Sequence, residues 1–399
     1  MINFSLFCCF FRGKRLFCRI FCHWVIFMFN YDTYSVLGDG DCKYQGAISP
    51  PIFQTSTFSG GEYSYTRLSN PTRAALEQEC ALLEKGKYGF AFSSGLGAIN
   101  ALFSTLKKGD RVVVTDDIYG GTYRLINRIY KNYGINFVFA DLCNLETAKK
   151  AITKGTALVF AETPTNPMMK IVDIAAVAKI THQNGGILAV DNTFLTPYFQ
   201  NPLTLGADVV VHSATKYISG HHDVSAGIAV TNGKKLANKL GLALSTLGNG
   251  LSPFESWLVL RGLRTLPMRM EKHQGNAYAA ASFLNSHPKI EQVIYPAMPQ
   301  HSGHLLCKRQ SRGFGGVVSF YTKDEKTARK IISGGRVIKF AESLGGFKSL
   351  VTYPITQTHA SIPRHIRNRI GINERLIRLS VGLENKEDII ADLATLLAD

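Results

Sequence analysis

The chain has 399 residues, 45% of them apolar and 19% charged, proportions that fit a soluble globular protein and exclude disordered and fibrous classes. Its formal charge of +16 raises nucleic acid or a membrane surface as partners. No Lys/Arg-rich block interleaved with aromatics is present, however, and neither is a helix-turn-helix, zinc-finger or RNA-binding signature. We therefore read the excess as a solvated surface, with neither nucleic acid nor membrane as partner.

A chain of this length has material for two domains. Residues 1–27 are rich in aromatics and cysteine and carry Arg12, Lys14, Arg15 and Arg19 with no acid, which leaves +12 for the rest. The basic stretch interrupts the apolar run before it reaches the roughly 18–20 residues a spanning helix needs, and no small-residue cleavage site follows it. The expectation is that translation begins at Met28 and that 1–27 is a non-native extension. An intact mass of the native protein decides it. Cys8, Cys9, Cys18 and Cys22 lie in that segment, while Cys42, Cys80, Cys143 and Cys307 are scattered. This is not a disulfide or zinc framework, and it fits a reducing cytoplasm.

Residues 28–68 read as an extended arm, because Gly, Pro and Ser interrupt every apolar stretch. Asn70-Pro71 opens a helix, with Asn as N-cap and Pro at the first helical position; Leu76, Cys80 and Leu83 continue it and Gly86 closes it. Strands are then predicted at Arg111–Thr115, Ile135–Ala140, Ala157–Ala161, Ile187–Val190, Asp208–Val211 and Gly227–Thr231. Helical patterns fall at 97–107, 121–133, 145–153 and 173–184. The alternation implies an α/β domain with a largely parallel sheet over 69–260. One long helix is expected from Pro253 to about Ala281. A smaller α+β domain, 261–399, follows, with strands near Gly316–Tyr321 and Leu376–Val381.

Ligands of parallel sheets bind beyond the carboxyl ends of the strands. Asp208-Val-Val-Val-His-Ser-Ala-Thr-Lys-Tyr-Ile-Ser-Gly-His-His222 puts Lys216 shortly after such an end. A lysine beside apolar strand ends loses solvation, which lowers its pKa and makes its amine a nucleophile toward carbonyls. Ser213 and Thr215 supply hydroxyls suited to phosphate oxygens. The combination suits a lysine that holds pyridoxal 5'-phosphate (PLP) covalently. Ser93-Ser-Gly-Leu-Gly97 precedes a helix, where free amides favour an anion. Asp191 closes the apolar strand 187–190. Neither Gly-x-Gly-x-x-Gly nor Gly-x4-Gly-Lys-Ser/Thr occurs, so dinucleotide and nucleoside-triphosphate binding lack support.

The lysine segment resembles the signature of the Cys/Met-metabolism PLP enzymes, the group of cystathionine synthases and lyases. The likeness extends from about Ser49 to the C-terminus. It includes Tyr65-Thr-Arg-Leu-Ser-Asn-Pro-Thr72, Tyr119-Gly-Gly-Thr122, Glu162-Thr-Pro-Thr-Asn-Pro167, Ala189-Val-Asp-Asn-Thr193, Ala341-Glu-Ser-Leu-Gly-Gly346 and Arg378-Leu-Ser-Val-Gly-Leu-Glu384. The resemblance implies a large domain of the aspartate aminotransferase type and a homotetramer built as a dimer of dimers. It implies that Lys216 holds the cofactor and then moves the substrate's protons. Gly95 and Leu96 would bind the phosphate through backbone amides, together with Ser213 and Thr215. Asp191 would face the pyridine nitrogen, and Tyr119 would stack on the ring and assist proton transfer. Tyr65 and Arg67 would reach a neighbouring subunit's phosphate. Arg378 would clamp the substrate α-carboxylate with help from Ser343 and Asn166, the latter also near the ring oxygen. His359 follows Thr358 in a segment the family keeps near the substrate, and is expected to support the site from behind or to be purely structural, not to be catalytic.

Glu342 resembles an acid associated with γ-synthases and γ-lyases, where it meets the distal ammonium of cystathionine, and is also at home in β-lyases. Gly121 stands where methionine γ-lyases carry cysteine. Thr358-His-Ala-Ser-Ile-Pro363 with Ile370-Gly-Ile372 most resembles the bacterial cystathionine lyases. The expected activity is C–S cleavage of cystathionine, β or γ, with a γ-synthase as the alternative. A histidine-glycine pair usual in the family's arm is replaced by Ser35-Val-Leu-Gly-Asp-Gly40. From a different class, a catalytically silent basic protein on the same fold remains the competing reading.

Overall fold

A computed structural model describes residues 30–38 and 47–398; the reading of 1–27 as an extension lies outside the described residues. Two sheets organise the chain. The larger has seven strands: β1 (Tyr88–Phe92), β2 (Arg111–Thr115), β3 (Asn136–Ala140), β4 (Thr156–Glu162), β5 (Ile187–Asp191), β6 (Val209–Ser213) and β7 (Gly227–Thr231). Their spatial order is β1-β7-β6-β5-β4-β2-β3. β2 to β6 run parallel, and β7 pairs antiparallel with both β6 and β1. Central strands such as β4 (Thr-Ala-Leu-Val-Phe-Ala-Glu) are almost continuously apolar because both faces are covered. Leu158 and Phe160 enter one core layer while Val159 and Ala161 enter the other.

The smaller sheet contains β8 (Ile290–Ile294), β9 (Val317–Thr322), β10 (Lys339–Phe340), β11 (Leu350–Thr352) and β12 (Leu376–Ser380). Its order is β10-β11-β12-β9-β8, antiparallel except for β10–β11. A third core cluster joins the two regions, with Tyr217 and Leu266 packed in the same cluster as Val317, Leu344 and Leu376. Among the described residues, no helix is long and apolar enough to cross a membrane.

Asn70 caps the helix Pro71–Leu83, its side chain accepting from the Thr72 N–H. At the other end it is Lys85, not Gly86, that takes the left-handed conformation (φ 58°). Gly86 is needed for a different reason: a Cβ there would lie 2.3 Å from Val230 Cγ1.

Three expectations fail. The long helix from Pro253 is two helices, Pro253–Leu263 and Leu266–Ser286. The cause is Pro267, whose ring would meet the carbonyl four residues earlier and which offers no N–H. The arm contains a helix, Tyr31–Leu37, too short to persist alone. It is held by tertiary contacts, with Tyr31 edge-on to Tyr198 at 5.2 Å and Arg264 bonding both Ser35 O and Glu79. β1 was also absent from the predicted strands. Gly89 breaks its pattern, and that glycine is required because a Cβ would lie 2.0 Å from Glu77 O.

Candidate active site

β4, β5 and β6 end in Glu162, Asp191 and Ser213, so three consecutive parallel strands deliver polar side chains to one edge. A cavity of about 290 Å³ lies there. Eleven of the thirteen candidate residues line it: Gly95, Leu96, Tyr119, Asn166, Asp191, Ser213, Thr215, Lys216, Glu342, Ser343 and Arg378.

Lys216 follows β6 on a single helical turn, where its carbonyl accepts from the Gly220 N–H at 2.8 Å. Its Nζ donates to Ser343 Oγ at 2.9 Å. Burial lowers its pKa from the usual 10.5 to about 8, the Arg378 charge adds to the fall, and Glu342 opposes it. At neutral pH that shift raises the neutral, nucleophilic fraction by roughly 300-fold.

Arg378 sits on β12 with 1% exposure. Its Nη1 donates to Asn166 Oδ1 at 2.9 Å, and Nη2 donates to Ser343 O at 2.8 Å and to Thr352 Oγ1 at 3.0 Å. Its buried Nε has no partner. The guanidinium is thus fixed at its edges by neutral oxygens, and its charge is met by no carboxylate among these bonds. Burial lowers its pKa to about 10. Ser343, which serves both Lys216 and Arg378, has φ 95°, a conformation costly for a residue with a Cβ and common where function fixes the backbone.

At the other end of the cavity the helix Gly95–Phe103 begins. Ser94 caps it by accepting from the Gly97 N–H at 3.0 Å. The amides of Gly95 and Leu96 precede the helical ladder and are free of intrahelical acceptors. A Cβ on Gly95 would stand 2.8 Å from Ser213 Cβ, so the glycine lets the helix end close on the strand end. Thr215 Oγ1 is engaged with Ala226, accepting from its N–H at 2.9 Å and donating to its carbonyl at 3.2 Å. Asp191 Oδ1 accepts from the Thr193 N–H at 3.0 Å and hydroxyl at 2.5 Å. Burial raises its pKa, and those bonds pull against the rise.

Tyr119 is 38% exposed and its ring crowds Gly121, where a Cβ would lie 2.4 Å from Tyr119 Cε1. Glu342 is exposed and lies on the cavity lining.

Tyr65 and Arg67 are not brought to this cavity within the chain. They line a second, more open cleft of about 410 Å³ with Thr55, Arg73 and Ser252. There the exposed Arg67 bonds only the Ser245 carbonyl among the hydrogen bonds of the described residues, at 2.7 Å. His359 is buried, its Nδ1 within 2.8 Å of Thr358 Oγ1. Burial, reinforced by the Arg378 charge, pushes its pKa to about 3.

Two residues of the site were missed. Glu162 lines the cavity and accepts the Tyr119 N–H at 3.0 Å. Burial and the nearby Asp191 push its pKa well above the usual carboxylate range. The signal was the one used for Asp191, an acid closing an apolar strand. Thr193 orients Asp191 and also accepts from the Ser213 N–H at 2.8 Å; Asp-x-Thr is a recognisable local turn pattern.

The set fits PLP: a buried amine of lowered pKa, free helix amides with a glycine cradle beside Ser213, a carboxylate at a strand end and a buried guanidinium, all lining one cavity. Comparison with known proteins agrees. The profile of the Cys/Met metabolism PLP-dependent enzymes matches residues 32–398. A cystathionine gamma-lyase of Dictyostelium discoideum is 47% identical over 90% of this chain and 95% of its own length. A cystathionine beta-lyase of Lactococcus lactis subsp. cremoris is 46% identical over 87% and 93%. The crystal structure of cystathionine gamma synthase from Xanthomonas oryzae pv. oryzae superposes with a TM-score of 0.90 at 40% identity, covering 92% of this chain and 98% of that one. The fold and site are those of a PLP-dependent enzyme. This chain belongs to the Cys/Met metabolism PLP-dependent enzyme family.

Proposed function

We propose that the protein is a cystathionine lyase that breaks a C–S bond of cystathionine, β or γ. The observation that carries the reading is the joint hold of Ser343 on Lys216 and Arg378. It sets a nucleophilic amine beside a guanidinium suited to an α-carboxylate. The relatives are named for both bond positions, and nothing in the cavity separates them.

Arg378, Asn166 and Ser343 would bind the substrate carboxylate and so present the Cα–H to Lys216. When bound, PLP supplies an electron sink for the carbanion at Cα. Lys216 Nζ would hold PLP at rest and, once released by the substrate amine, remove the Cα proton. For γ cleavage the same Nζ would first pass that proton on and, neutral again, take one from Cβ. Asp191 would keep the pyridine nitrogen protonated, and Thr193 holds its carboxylate in place for that. Gly95, Leu96, Ser213 and Thr215 would receive the phosphate. Tyr119 would cover the ring and pass a proton to the departing sulfur. Glu342 would meet the distal ammonium.

The cleft with Tyr65 and Arg67 supports a site shared between chains, hence an oligomer of at least two, with a homotetramer and a cytoplasmic location as the full reading. The decisive experiment incubates PLP-loaded protein with L-cystathionine and identifies the 2-oxo acid. Pyruvate with homocysteine means β cleavage; 2-oxobutyrate with cysteine means γ cleavage. Absence of both overturns the lyase reading in favour of a γ-synthase, which a solved relative represents. A colourless protein after PLP reconstitution would leave the silent basic protein instead.

A further inference from the structure

We propose that Arg269 is a positioning residue for Lys216: its buried guanidinium caps the helical turn that carries the lysine and so sets where the amine points. The inference rests on Lys216 being the cofactor-bearing lysine. Within the turn, Ala214 O accepts from the Ser219 N–H at 2.9 Å and Lys216 O from the Gly220 N–H at 2.8 Å. The carbonyls of Tyr217 and Ile218 come next, at the end of the turn, where no further turn supplies donors. Arg269 supplies them: Nη1 donates to Tyr217 O at 2.5 Å and Nη2 to Ile218 O at 3.2 Å. The same Nη2 donates to Gly262 O at 2.6 Å, and Nε donates to Thr265 Oγ1 at 3.0 Å.

All four acceptors are neutral oxygens, and Arg269 is 6% exposed. Burying a guanidinium without a carboxylate is costly, and the burial lowers its pKa to about 10. A methionine would fill much of the volume without that cost. What only the planar fork provides is several fixed donors at once, here aimed at the two residues directly after Lys216. A cation is also favourable at the carbonyl end of a helical turn.

The neighbouring backbone is shaped to this arrangement. Gly220 (φ 74°) could not carry a Cβ, which would lie 2.1 Å from Arg269 Nη1. Gly262 brings its helix against the turn, where a Cβ would stand 2.3 Å from Ser219 O. Gly345, two residues after the serine whose Oγ accepts from Lys216 Nζ, would place a Cβ 2.7 Å from Tyr217 N. Arg269 does not line the cavity. It acts through the lysine.

The test uses holoenzyme of Arg269→Lys, which keeps the charge and loses the fork, and of Arg269→Ala with and without added guanidinium ion. The readouts are PLP content, the pH midpoint of the visible band, and kcat and KM with L-cystathionine. In Arg269→Lys we expect full PLP content, a midpoint moved by about one pH unit and kcat lowered about ten- to a hundredfold, with KM nearly unchanged. Guanidinium should return the midpoint of Arg269→Ala toward that of the unsubstituted enzyme. Midpoints and kcat unchanged in both variants, with only a lower Tm, would overturn the proposal and leave Arg269 a packing residue. If Arg269→Ala does not fold, Arg269→Lys decides on the same readouts. A borohydride-reduced, unsubstituted enzyme labelled anywhere other than Lys216 would overturn the cofactor-lysine reading instead.

Discussion

The strand-end cavity and the more open cleft each present an arginine suited to an anion, and they present it in opposite ways. Arg378 is almost fully buried and held by three acceptors before any ligand arrives. Arg67 is exposed, stacked 5.6 Å from the ring centroid of Tyr65, and bonded to one backbone carbonyl. An arginine fixed in advance loses little freedom on binding and so contributes orientation. One left loose contributes charge, and needs a second surface to define its geometry. Within one chain, then, one arginine is held by three acceptors and the other by a single carbonyl, which is the contrast expected if the proposed shared site is completed by a second copy.

The largest effect belongs to the strand-end cavity. Lys216→Ala should abolish the visible band and lower kcat with L-cystathionine by about 10³-fold or more, since it would remove both the proposed anchor and the proposed base; stopped assays with borohydride trapping check both. The pH dependence has a definite sign. Only the neutral amine attacks, so capture of added PLP by cofactor-free protein should rise about tenfold per pH unit up to about 8 and then level. Stability moves in a linked way. The folded pKa lies below the unfolded value of 10.5, so between about 8 and 10.5 the unfolded chain binds more protons. The penalty for burying Lys216 therefore fades as pH rises through that window.

Arg378→Lys comes next. A lysine cannot satisfy Asn166, Ser343 and Thr352 together or offer two parallel donors to a carboxylate. We expect kcat/KM to fall about a hundredfold, with PLP content preserved. The contrast is sharpened by Arg67→Ala, for which PLP affinity should fall about tenfold, a loss of one charge-assisted bond. If the cleft is completed by a second copy, mixing Arg67→Ala with Lys216→Ala protein should restore part of the activity through hybrid sites. No recovery on mixing would break the comparison, because it would make the cleft an ordinary surface.

Much of this was legible in the sequence where a residue's chemistry is local. An acid closing an apolar parallel strand, or a lysine shortly after one, places a polar side chain at the strand ends, which is why Asp191 and Lys216 stood out in their segments and line the cavity, while their roles were implied by the family resemblance. Glu162 carries the same signal at the end of β4. Other features depend on contacts distant in sequence. The helix Tyr31–Leu37 exists because Tyr198 and Arg264 receive it, and neither is foreseeable from its seven residues. Arg269 is another case. Nothing local distinguishes it from a surface arginine of the helix Leu266–Ser286, and its meaning lies 52 residues away at Tyr217. The break before that helix, by contrast, has a local mark in Pro267, which stands in its first turn.

The smallest effect should come from His359, although it lies against the strand-end cavity. Its Nδ1 meets Thr358 Oγ1 at 2.8 Å, and Thr358 lines the cavity. A histidine so placed invites a catalytic reading. Burial and the charge of Arg378, however, hold its pKa near 3, so it stays neutral throughout the working range and contributes no titration there. Because the folded pKa lies below the usual 6.5, acidification toward pH 3 favours the unfolded chain, which takes up the proton first. His359→Gln keeps a side chain able to bond Thr358 while removing the titrating ring. It should leave the pH–rate profile between about pH 6 and 9 unchanged and kcat/KM within about threefold, lower Tm by about 2–4 °C at neutral pH, and lessen the loss of stability on acidification. A displaced acid limb in the pH–rate profile would instead make His359 part of the chemistry, and would mean that the strand-end cavity depends on a proton that Lys216 and Tyr119 do not carry.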